Sequence, residues 1–76
     1  MQYEHARARE SLLVAKGERL NAVDRQWERE APELRRINVS EPQIAAREAH
    51  HARQKEAIEA HFARQLEELD AEWTKV

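Results

Sequence analysis

Seventy-six residues with 13 Lys or Arg against 15 Asp or Glu hold one small domain at most, and a charge this balanced argues against bulk electrostatic capture of nucleic acid or anionic lipid. Cysteine is absent, which excludes disulfides and thiolate chemistry. A charged content of 37%, one Gly and two Pro fit long helices better than sheets or flexible linkers, and no apolar run approaches a membrane span or a signal-peptide core, so a cytoplasmic home is the default.

The apolar content is thin. Of the 31 hydrophobic residues 13 are Ala, leaving 18 larger side chains, too few for a generously stable globule without association. These 18 are nonetheless periodic, which separates the chain from a disordered one.

The first predicted helix covers about residues 3–37. Leu13, Leu20, Trp27 and Leu34 recur every seven positions, with Val23 and Ile37 at the intervening position of the second half, giving a coiled-coil-like seam. The matching earlier positions are Arg9 and Lys16, so the stripe there is narrower and is widened by Leu12. Gly17 weakens the same region by ~1 kcal/mol relative to Ala. Pro32 removes a hydrogen bond and crowds the preceding turn; because Ala31 is a poor N-cap, a kinked continuation is favoured over a break and restart. Arg35 and Arg36 then suit the negative end of the helix dipole.

A turn over residues 38–40 folds the chain in half. Asn38 suits the left-handed position just past a helix end. Ser40 as N-cap puts Gln43 where it can complete a capping box, and sets Val39 and Ile44 as a hydrophobic staple, with Pro42 harmless in the first turn.

The second predicted helix covers about residues 41–75. Phe62, Leu66, Leu69, Trp73 and Val76 alternate spacings of four and three, while the earlier half offers Ile44, Ile58 and many Ala, small enough for close approach. Folding at the turn sets residue i opposite roughly residue 79 − i, which brings Leu13 to Leu66 and Leu20 to Ile58 or its neighbour and mates large with small at Trp27 with Ala52, Leu34 with Ala45 and Ala6 with Trp73. The expected fold is therefore all-α, an antiparallel two-helix hairpin. Leu12, Val14, Ile58, Phe62 and Leu69 cannot all share one narrow interface, so a two-fold homodimer forming a four-helix bundle is expected to cover the remainder.

Chemistry is sparsely signalled. Glu48 and His51 have the Glu-x-x-His spacing of di-iron bundles, but such a site needs two pairs and further Glu residues, the chain offers one pair unless a symmetric dimer supplies the second, and His5, His50, His51 and His61 read as lying on or beside the polar face. No phosphate loop or nucleophile-base pair occurs, so neither an enzyme, a metal site nor a cofactor is expected. Residues 25–55 hold seven basic against five acidic residues, giving a mildly basic tip from which Arg35, Arg36, Arg47, Arg53 and Lys55 could meet phosphates.

The turn Leu34-Arg35-Arg36-Ile37-Asn38-Val39 and the Ala-, Arg- and Glu-rich helix after it resemble the helical hairpin near the C-terminus of bacterial helicase-like ATPases of the RNA-polymerase-recycling type. The family's pattern has Pro after the Asn, where this chain has Val39. The resemblance implies an accessory arm of a DNA-translocating motor whose chemistry lies elsewhere. Without it, the residues point to a structural or protein-interaction hairpin, with nucleic-acid binding as the alternative.

Overall fold

The computed structural model describes residues 2–74, which form two helices and no strand; Val76, placed at the end of the second seam above, lies outside them. Helix α1 spans Gln2–Arg36 and helix α2 spans Glu41–Thr74, 35 and 34 residues long. They lie against each other as an antiparallel hairpin with Cα extents of 58 × 17 × 7 Å. Helix α1 runs through Pro32 without a break.

The turn closes α1 with a Schellman motif. Val39 N–H donates to the Leu34 carbonyl at 3.1 Å and Asn38 N–H to the Arg35 carbonyl at 3.2 Å, so carbonyls orphaned at the helix end are satisfied. Asn38 supplies the required left-handed backbone at φ 62°, a conformation its short polar side chain tolerates better than other non-glycine residues do. The Ser40 carbonyl then accepts the first bond of α2 from Ile44 N–H at 3.0 Å, which makes Ser40 the N-cap. Here the structure corrects one expectation: neither Ser40 nor Gln43 makes a side-chain hydrogen bond, so the capping box is not formed. The staple positions behave differently. Val39 is half-buried and Ile44 is 4% exposed, so apolar shielding rather than reciprocal polar bonds fixes the entry to α2.

The seam follows an eleven-residue repeat. Nine shielded positions of α1 form three rows, flanked by Ala8, Ala15, Gly17, Asp24 and Glu30: His5, Lys16 and Trp27; Arg9, Leu20 and Ala31; Leu12, Val23 and Leu34. In α2 the rows, flanked by Gln65 and Asp70, are Ile44, Lys55 and Leu66; His51, Phe62 and Trp73; Ile58 and Leu69. The difference from a heptad is geometric. A seven-residue step drifts ~20° on a straight helix, so three steps carry Leu13 about 60° away from Leu34, whereas an eleven-residue step drifts more slowly per residue. Leu13 is accordingly 47% exposed and Leu12 takes its place in the seam. Ile37, the other heptad residue that misses the interface, follows the last helical residue and is 61% exposed.

Only Ile44 and Phe62 are buried among the described residues. Two helices can shield a line, not a volume, and Tyr3 and Val14 join Leu13 and Ile37 as large apolar side chains left in the open.

Candidate functional site: two interhelical clasps

Apart from an Arg47–Glu30 pair near the turn, the side-chain hydrogen bonds across the seam gather into two clusters of one kind, each an Asp with a His and a cation. Near the open end, Asp70 of α2 accepts from His5 Nε2–H and from Arg9 Nη1–H of α1, both at 2.7 Å. Nearer the turn, Asp24 of α1 accepts from His51 Nε2–H at 3.1 Å and from Lys55 Nζ–H at 3.4 Å, both on α2. In each case the two donors are four residues apart, one turn of helix, so one carboxylate reaches both. An ionised carboxylate only accepts, and each imidazole must therefore carry a proton on Nε2.

Each imidazole is also held from its face. His5 stacks on Trp73 with ring centroids 5.3 Å apart and planes inclined by 30°, and His51 stacks on Trp27 at 5.6 Å and 21°. The Trp stands three residues beyond the Asp on the same helix, which places both on one face. Asp70 shows the electrostatic consequence: the hydrogen bond from Arg9, then that from His5, lowers its pKa below the usual carboxylate value despite the opposing effect of desolvation.

One sequence expectation changes here. His5 and His51 are interhelical residues rather than members of the polar face; only His50 and His61 are exposed. His51 is engaged by Asp24 and Trp27 while Glu48 is exposed; among the described residues no group of three or more His, Cys, Asp or Glu could hold a metal ion. The signal that would have found the clasps is a repeat. His-x-x-x-Arg/Lys occurs at His5 and His51, Asp-x-x-Trp at Asp24 and Asp70, and in both cases the copies are 46 residues apart.

The apolar seam runs through and between the clasps. Leu20, Val23, Trp27 and Leu34 of α1 are half-buried, as are Ile58, Leu66, Leu69 and Trp73 of α2, with Phe62 and Ile44 buried among them. The Arg19 guanidinium lies over the Phe62 ring, 5.7 Å from its centroid. All the cross-helix partners lie within one helical turn of the 79 − i register.

Three of the five candidate cations of the basic tip are ion-paired. Arg36 pairs with Glu33, Arg47 with Glu30 at 2.7 Å, and Lys55 with Asp24, leaving Arg35 and Arg53 outside any ion pair among the described residues. No helix among these residues is long and apolar enough to cross a membrane. Comparison with protein-family models, with curated proteins and with solved structures finds no match.

Proposed function

We propose that the hairpin is a non-catalytic structural and protein-interaction module of the cytoplasm, an arm or docking surface used by a homodimer or within a larger protein. The observation that carries this reading is the mismatch between apolar content and cover: two residues buried, and Tyr3, Leu13, Val14 and Ile37 exposed on the same helix or just past its end. Adjacent exposed Leu13 and Val14, about a third of the way along α1, form the kind of patch that a second protein surface covers. The first occupant we propose is a second hairpin, closing a two-fold four-helix bundle. The resemblance of the turn to a helicase-like ATPase arm suggests the other, the body of a motor protein.

Sedimentation equilibrium over a wide concentration range tests the bundle. A reversible dimer that Leu13→Glu with Val14→Glu returns to monomer, with helix content kept, is the expected result. A wild-type chain that stays monomeric and well folded at high micromolar concentration refutes self-association through this face and leaves the larger-protein reading.

A second reading, nucleic-acid binding at the tip, draws on Arg35 and Arg53, which are exposed and free of ion pairs among the described residues. Three of the five candidate cations already serve carboxylates, so we rank it second. Phosphate contacts lose affinity steeply as salt rises, and micromolar binding abolished by Arg35→Glu with Arg53→Glu reverses the ranking.

A further inference from the structure

The two clasps are one motif written twice. Aligning residues 5–27 with residues 51–73 gives seven identities in 23 positions: His5 and His51, Ala6 and Ala52, Arg7 and Arg53, Glu10 and Glu56, Leu20 and Leu66, Asp24 and Asp70, Trp27 and Trp73. Arg9 with Lys55, Leu12 with Ile58 and Val23 with Leu69 keep their kind. The structure gives the alignment a physical meaning, because every member of one clasp maps onto its counterpart in the other when the helices are exchanged. The clasps are thus related by a pseudo-two-fold axis across the rod, with residues 5–27 and 51–73 carrying the same pattern on the two helices.

Each copy carries both halves of the clasp, a His-x-x-x-cation and, 19 residues after the His, an Asp-x-x-Trp. A helix of this kind is complementary to an antiparallel copy of itself. Of the seven seam positions from 5 to 27, the only one at which the copies differ in kind is Lys16, whose counterpart is Phe62. These two stand opposite each other in the register, beside the axis, where like copies would bring Lys against Lys or Phe against Phe. The axis residues therefore select α1 against α2 while leaving open which chain supplies α2.

We propose that the repeated half-clasp is a partner-recognition surface, and that the partner it fits beyond the chain's own second helix is α2 of a second copy of this chain. In the exchanged dimer each α1 lies on the other chain's α2, and every clasp is built from two chains. Such a dimer differs from a face-to-face bundle of closed hairpins, and the proposal rests on the repeat, not on the exposed face used above.

Charge complementation in the full chain tests it. One variant carries Asp24→Lys with Asp70→Lys, the other Arg9→Glu with Lys55→Glu. Closed on itself, the first sets cation against cation in both clasps and the second sets acid against acid. Exchanged with each other, they oppose unlike charges in all four clasps. The expected result is a mixed dimer by native mass spectrometry, with a melting temperature roughly 10 °C above that of either variant alone. A mixture that melts as the sum of its components overturns the proposal. A mixed species without the raised melting temperature does so too, since hairpins that associate face to face keep their mismatched clasps.

Discussion

Asp24 and Asp70, one on each helix and 46 residues apart, each bind a His and a cation spaced one turn apart on the opposite helix. This relationship fixes register more strictly than the apolar seam does. Leu, Ile and Val are interchangeable under a shift of one turn, whereas such a shift leaves each Asp with at most one of its two donors. Side chains with narrow geometric demands thus complement a shallow apolar interface by choosing one alignment among several of similar hydrophobic content.

Asp70 makes the stability of the hairpin pH-dependent on its acid side. Its folded-state pKa is depressed, chiefly by Arg9 and then by His5, so the contribution is fully present above the unfolded carboxylate value and disappears as pH falls through the folded one. Urea midpoints measured from pH 6 down to pH 2 should fall for the wild type, and the fall should shrink in Asp70→Asn. An equal acid response in the variant would assign the effect to other carboxylates.

Gly17 is a helix-interior glycine with nothing within 4 Å of the place a Cβ would take. Gly17→Ala should therefore stabilise by roughly 1 kcal/mol through helix propensity. Thermal melting of this small chain should rise by about 4–8 °C. A decrease would mean that α1 needs its glycine for close packing.

The turn should respond to backbone geometry more than to its cap hydroxyl. Asn38 occupies the left-handed region, so Asn38→Gly is expected to be neutral or stabilising, and Asn38→Val to cost ~1–2 kcal/mol. Ser40→Ala, which removes no side-chain hydrogen bond, should cost a few tenths of a kcal/mol, below the ~1 kcal/mol typical of a bonded N-cap. Denaturant midpoints of the three variants order these effects, and Ser40→Ala as the most damaging would reverse the account.

Leu13 and Phe62 test the eleven-residue seam directly. Phe62→Ala should cost about 3 kcal/mol or more, because a ring buried to 4% exposure leaves a gap that two helices fill poorly. Leu13→Ala should stay within ~0.5 kcal/mol in dilute solution. A heptad seam would make the Leu13 change expensive too, so equal losses would restore it.

Much of this was legible from local chemistry. Leu34, Asn38 and Val39 announce the helix end because an αL residue flanked by apolar partners has few other uses, and the 79 − i register follows from the place of the turn. Leu13 was misplaced because heptad and eleven-residue readings share Leu20, Trp27 and Leu34 and diverge only after several turns. Ser40 and Gln43 had the spacing of a capping box, but spacing does not fix rotamers. His5 and His51 were misjudged for another reason: a polar residue judged singly looks solvated, and its Asp and Trp partners lie tens of residues away in the chain.

The placement of the clasps along the rod also determines how it yields to force. A pull on the two free ends acts first on His5, Arg9, Asp70 and Trp73, then reaches Phe62 near mid-rod, and meets Asp24, Trp27, His51 and Lys55 before the turn. Unzipping therefore proceeds by stages, with resistance concentrated at two separated points, and a tether at the open end can part the outer third of the arms while the inner clasp still holds them in register.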